Sequence, residues 1–160
     1  ALMNFLGALN ELVSVYKLPI VVSTHPRTER RVTDVRDITL SNEIRFMKPF
    51  GFADYIKLQQ ESFCVLSDSG TLTEETVLLG LTAVNVRNSH ERPEGMDAGA
   101  LIMSGLNASS ILESVRIVTA QNKTAFSTVE YGRNEVSKQI LRVVMSYVGY
   151  VNRNTWHKLG

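Results

Sequence analysis

A single cysteine, Cys64, excludes an internal disulfide in this chain of 160 residues, and its place inside the apolar run 63–66 predicts a buried, unreactive thiol. No Cys/His pair has the spacing of a zinc site. Charge bias is missing too: seventeen basic residues stand against sixteen acidic ones, a formal charge of +1. With no run of like charge, neither a nucleic-acid arm nor a polybasic membrane patch is expected. No stretch of about 18 apolar residues exists, so no membrane-spanning helix is expected. The amino end lacks the basic-then-apolar order of a signal peptide, and a reducing, cytoplasmic setting fits. There is no Gly-x-x-x-x-Gly-Lys loop and no Gly-x-Ser-x-Gly elbow, and Ser69 has no base within its motif to activate it.

What is present suits a globular protein. The apolar fraction of 44% is ordinary, and 160 residues form one domain's worth of chain, with no repeat, low-complexity segment or linker to divide residues 1–160. The chain opens at Ala1 and enters helical spacing at once, which predicts a piece of a longer protein.

Leu2, Phe5, Leu6, Leu9, Leu12, Val13 and Tyr16 recur every three or four residues, the stripe of an amphipathic helix stopped by Pro19. Ile20 to Ser23 is a short β-branched run, expected as a parallel strand buried on both faces. A second strand is expected at Ile44 to Met47, then a helix from about Ala53 to Glu61. Further strands are read at Phe63 to Leu66, Ala83 to Val86 and Leu101 to Met103. Glu74 to Leu79 lies in a helix that Gly80 ends in a left-handed residue. Ser110 and Glu113 have capping-box spacing and are expected to open a helix reaching about Gln121. After a polar stretch, Asn134 is expected to cap a last helix with the stripe Val136, Ile140, Val143, Val144, Tyr147 and Val151. Strands alternating with helices predict an α/β fold, a Rossmann-like parallel sheet with helices on both faces. In such sheets ligands bind beyond the carboxyl ends of the strands.

The strand ends carry the chemistry. Ser67-Asp68-Ser69-Gly70-Thr71 joins a strand to a helix, whose first turn leaves N–H groups unpaired with a partial positive charge. Phosphate suits that place, with Gly70 allowing close backbone approach and the hydroxyls of Ser69 and Thr71 donating. The alternative is a capping box between Thr71 and Glu74 that binds nothing. Glu75 has no part in either; a carboxylate there can accept two hydrogen bonds from a ribose diol, or can be an ordinary solvated charge. The segment from Val86 to Gly95 holds Arg87, His90, Glu91, Arg92 and Glu94, either a diphosphate clamp or a surface loop of ion pairs. His25, after the first strand, is either structural or a donor and proton carrier. "KPFGFADY", residues 48–55, sets aromatic rings beside a strand end, to stack on a base or to pack the core.

Taken in order, "STHPRT", "KPFGFADYIKL", "VLSDSGTLTEE" and "RNSHERPEGMDAG" resemble the carboxyl-terminal half of the bacterial non-hydrolysing UDP-N-acetylglucosamine 2-epimerase family, from about Ile20 to Gly105 and more loosely to the end. The resemblance implies one lobe of a two-lobed glycosyltransferase B type fold, with UDP in this lobe and the sugar in the cleft between lobes. It implies Ser69, Gly70 and Thr71 at the diphosphate, Arg92 near the phosphates, Glu75 at the ribose, Tyr55 beside uracil, and His25 as the catalytic residue at the cleft. No cofactor and no metal is implied. The family's partners are UDP and a UDP-N-acetylhexosamine, and its members are commonly homodimers. Thr71 departs from the second glycine of many members. It resembles, with "NSHERPEGMD" and "SYVGYVNRNTW", the branch acting on UDP-2-acetamido-2,6-dideoxy-hexoses for surface polysaccharides such as capsule or O-antigen.

The family's amino-terminal lobe has no counterpart in these residues, so the chain alone is expected to bind nucleotide without turnover. The family's final helix returns toward that lobe, leaving the Val136 to Val151 stripe exposed here or covered by a neighbouring copy. Two other readings stand beside this one: the nucleotide lobe of a glycosyltransferase, or a non-catalytic regulatory or interaction domain.

Overall fold

The computed structural model describes residues 2–24, 32, 38–89, 92–121, 131 and 135–158. The chain divides into two compact units, Ala1–Thr128 and Val129–Gly160. In chain order the first unit contains α1 (Leu2–Tyr16), β1 (Ile20–Ser23), β2 (Ile44–Met47), α2 (Phe52–Glu61), β3 (Val65–Ser67), α3 (Leu72–Leu79), β4 (Ala83–Asn85), α4 (Pro93–Asp97), β5 (Ile102–Met103) and α5 (Ala108–Ala120). The second unit is built on α6 (Val136–Asn154).

All strand pairs are parallel, as alternating strands and helices require. β1 pairs with β2, and β3, β4 and β5 form a second ladder in that order. The short central strand β4 shows why helices lie on both faces. Its successive side chains point to opposite sides, so Val84 joins Leu6, Leu9, Ile111 and Val115 of α1 and α5, while Ala83 joins Leu72, Leu81 and Leu101. Every residue of β4 is buried.

β1 differs from the expectation. It is covered on one side only: Ile20 and Val22 are half-buried, while Val21 is 45% exposed and Ser23 is exposed. Among the described residues it has one ladder partner, β2, and its side chains share with β3 the lining of a cavity of about 1210 Å³. A β-branched run therefore marked a strand correctly but not a two-sided burial, which depends on neighbours the run does not encode. β3 also begins later than expected: Val65 is its first paired residue, and the Phe63 ring rests tilted on Tyr16 with centroids 5.2 Å apart.

One helix end follows the expected chemistry and one does not. Gly80 takes the left-handed conformation (φ 65°) after α3, and its N–H bonds the Thr76 carbonyl. α5 starts ahead of Ser110. Its cap is Asn107, whose side chain accepts from the Ser109 N–H at 3.0 Å, while Glu113 forms a forked pair with Arg116 (2.9 and 2.6 Å). Asn is an equally good cap that stands earlier in the chain, and Glu113 finds a guanidinium one turn onward, so no box forms. α6 begins after Glu135, which makes no side-chain cap bond; Asn134, expected as the cap, lies outside the described residues. No residue of α6 is buried, and Ile140, Leu141, Val143, Val144 and Tyr147 are among its exposed apolar residues. Among the described residues no helix is long and apolar enough to cross a membrane.

Candidate functional site

The carboxyl end of β3 opens into the turn before α3, and the segment that follows β4 comes back to it through Arg87 and Arg92. After β3 the chain runs through Asp68 and Ser69 to Gly70 and Thr71, with the Ser69 N–H bonded to Ser67 Oγ at 3.1 Å. The hydroxyls of Ser69 and Thr71 lie 2.9 Å apart, both on the exposed side. The N–H groups of Thr71, Leu72 and Thr73 reach only loop oxygens, at 3.3 to 3.4 Å. Bonds of that length are weak, so the first turn of α3 keeps donors that an anion can claim.

The capping alternative for this loop is not adopted. Thr71 is itself in the right-handed helical region (φ −68°, ψ −15°) and makes no side-chain cap bond. Glu74 turns instead to Arg92, with Nε 2.6 Å from Oε1. Held through Nε, the guanidinium presents its outer nitrogens to the loop. Arg92 Nη1 lies so close to Gly70 that any Cβ there would overlap it, and Arg87 Nη1 would be 3.7 Å from that same Cβ. The glycine thus admits a guanidinium to the backbone of the turn, the arrangement that a diphosphate needs for simultaneous N–H and arginine contacts.

Packing behind the site brings Arg92 to this place. Arg92 precedes α4, with Pro93 at the first helical position, and Gly95 of α4 is buried against the methyl of Thr73, where a Cβ would overlap. α4 thereby lies on α3, and the residue before it reaches Glu74, the neighbour of Thr73.

Glu75 points elsewhere. Its Oε2 accepts from Gln59 Nε2 of α2 at 2.6 Å. Burial first, and the nearby Glu75 carboxylate second, hold the Tyr55 phenol above its ordinary value. The phenol therefore stays protonated and able to donate. The paired glutamates opening α3 thus serve two tasks on two sides, Glu74 fixing an arginine and Glu75 facing Tyr55 and Gln59. The cavity of about 1210 Å³ extends along Tyr55, Gln59, Asp68 and Arg87.

Of the residues singled out from sequence, Ser69, Gly70, Thr71 and Arg92 form one cluster, and Tyr55 and Glu75 another, both joined through α3. His25, and the loop residues His90 and Glu91, lie outside the described residues. Gln59 was not anticipated. Its signal was present in the spacing, because Tyr55 and Gln59, four apart in a helix, share a face. Cys64 is pushed up to about 12 by burial and remains a thiol. Among the described residues no three His, Cys, Asp or Glu side chains cluster as a metal site would require.

Residues 1–145 match the family model described as UDP-N-acetylglucosamine 2-epimerase. The chain belongs to that family. A relative from Pseudomonas aeruginosa, a UDP-2,3-diacetamido-2,3-dideoxy-D-glucuronate 2-epimerase, is 33% identical over 140 residues, 87% of this chain and 38% of its own length. The solved UDP-N-acetylglucosamine 2-epimerase from Rickettsia bellii superposes with a TM-score of 0.83 at 47% identity, over 98% of this chain and 44% of that one. The Methanocaldococcus jannaschii epimerase, solved with UDP-GlcNAc and UDP, matches with a TM-score of 0.77 at 25% identity, over 91% and 40%. The chain thus spans about two fifths of the length of these epimerases. Its α/β fold, parallel strands with helices on both faces, is that of one lobe of these glycosyltransferase B type relatives.

Proposed function

We propose that residues 1–160 are the UDP-binding lobe of a two-lobed, cytoplasmic epimerase that inverts C2 of a UDP-N-acetylhexosamine. The observation that carries this reading is the Arg92 guanidinium, anchored by Glu74 and seated against the Gly70 backbone, in the same turn that carries the Ser69 and Thr71 hydroxyls. These groups take the diphosphate. Glu75 accepts from the ribose hydroxyls, and Tyr55 lies beside the uracil. The solved relative holding UDP-GlcNAc and UDP supports the choice of ligand.

In the proposed reaction the sugar loses its C2 proton and UDP leaves C1, giving a glycal with a C1–C2 double bond. UDP then adds back at C1 while a proton reaches the opposite face of C2, so atoms and charge balance. Negative charge grows on the β-phosphate as UDP departs, and preorganised donors at that oxygen lower the barrier. Arg92, the Ser69 and Thr71 hydroxyls and the first N–H groups of α3 are this lobe's share of the catalysis. His25 is proposed as the catalytic residue at the cleft. The carboxylates that handle the C2 proton are assigned to the amino-terminal lobe, which also covers the apolar row of α6. No metal or cofactor takes part in the scheme. Thr71, with the loop motif that follows β4, supports a 2-acetamido-2,6-dideoxy sugar destined for a surface polysaccharide.

Titration calorimetry of the 160-residue chain with UDP tests the site. Binding is expected, with Glu75→Ala losing roughly 1.5 to 3 kcal/mol as a charge-assisted ribose contact is removed. Absence of binding at millimolar UDP, or an unchanged affinity in Glu75→Ala, rejects it. Incubating the two-lobed enzyme with UDP-sugar and no acceptor separates it from a glycosyltransferase, since only an epimerase yields the C2 epimer.

A further inference from the structure

Gln59 is the only buried side chain of α2, at 5% exposure, in a helix where even Phe52 is 83% exposed. Glutamine is mostly a surface residue, and an amphipathic helix ordinarily buries apolar side chains at such a position. Its two polar ends are treated differently. Nε2 donates to Glu75 Oε2 at 2.6 Å, whereas Oε1 is buried with no partner among the described residues. An orphaned buried carbonyl is a cost that a leucine or methionine of similar size does not carry. The amide's gain lies in the one bond it makes, and that bond goes to a carboxylate.

A carboxylate has two oxygens, and its orientation decides which one faces a ligand. The bond from Gln59 holds Oε2 on the α2 side, beside Tyr55 four residues earlier on the same helix face. We infer that Gln59 is a positioning residue that fixes the Glu75 carboxylate for the ribose diol and so sets the preference for ribonucleotides over deoxyribonucleotides. It touches no ligand itself. The inference rests on the reading of Glu75 as the ribose-facing carboxylate.

The test compares UDP with its 2′,3′-dideoxy analogue by titration calorimetry on the 160-residue chain. Gln59→Met keeps the volume and removes the N–H; it is expected to weaken UDP roughly three- to tenfold, the worth of an orienting hydrogen bond, and to leave the dideoxy analogue unchanged. Gln59→Glu sets a second carboxylate against Oε2 and is expected to weaken UDP further at neutral pH, again sparing the analogue. Binding of the analogue reports that the site is folded in each variant. Equal losses for both ligands, or no loss for either, overturn the inference, because a merely structural role moves both alike. Glu75→Gln keeps the two ideas apart. If it fails to narrow the gap between the ligands, the ribose reading itself falls; if it narrows the gap and Gln59→Met does not, the positioning role alone falls.

Discussion

Replacing Gly70 by alanine asks whether the guanidinium at the turn is there for a ligand. The added Cβ overlaps Arg92 Nη1, and the next atoms it meets are Arg92 Cζ at 3.6 Å and Arg87 Nη1 at 3.7 Å. Every one of these belongs to the far end of a long side chain, and Gly70 is not among the glycines with positive φ, so the backbone is unstrained by the change. The fold should therefore absorb it by swinging Arg92 away, at a cost below about 1 kcal/mol, or a thermal shift of roughly 2–4 °C. The site should not. Losing a charge-assisted contact to phosphate costs roughly 1.5 to 3 kcal/mol, which is about a ten- to hundredfold weaker UDP affinity. Calorimetry on Gly70→Ala, Arg92→Ala and the double variant checks this. Since both changes remove the same contact, the double variant should bind little worse than Arg92→Ala alone. Undiminished binding by Gly70→Ala, or losses that simply add, refute the claim that the glycine exists to admit Arg92.

Gly95→Ala presents the opposite case: its Cβ would overlap the buried Thr73 methyl, which has nowhere to go, and about 1 to 3 kcal/mol of overpacking should appear as a lower thermal midpoint. Asn107→Ala should cost about 1 kcal/mol of stability, whereas Ser110→Ala should cost much less, since Asn107 is the residue that caps α5; chemical denaturation reads both. Cys64 should resist thiol reagents at pH 8 until the chain is unfolded. Its folded pKa of about 12 lies above the ordinary 9.0, so the unfolded chain releases the proton first. Its contribution to stability is fully present below pH 9 and is lost as pH rises from there toward 12; Cys64→Val should flatten that alkaline loss in urea titrations at pH 8 to 11.

Element order was legible from the sequence because it rests on local rules. Helical spacing in residues 2–16, the β-branched run at Ile20, the short strand at Ile44, and Gly80 at a left-handed helix end all depend on a residue and its near neighbours. The strand-end turn at Ser69 to Thr71 was legible for the same reason. Tertiary structure decided the pairings. Glu74 and Glu75 are adjacent and chemically alike, and helix spacing alone states only that they face different directions. Which met an arginine and which a glutamine depended on α4 closing onto α3 through Gly95 and on α2 presenting Gln59. Side-chain partners distant in sequence are chosen by how elements pack, as is the one-sided cover of β1. Local propensity states what a segment can become; only packing states what it touches.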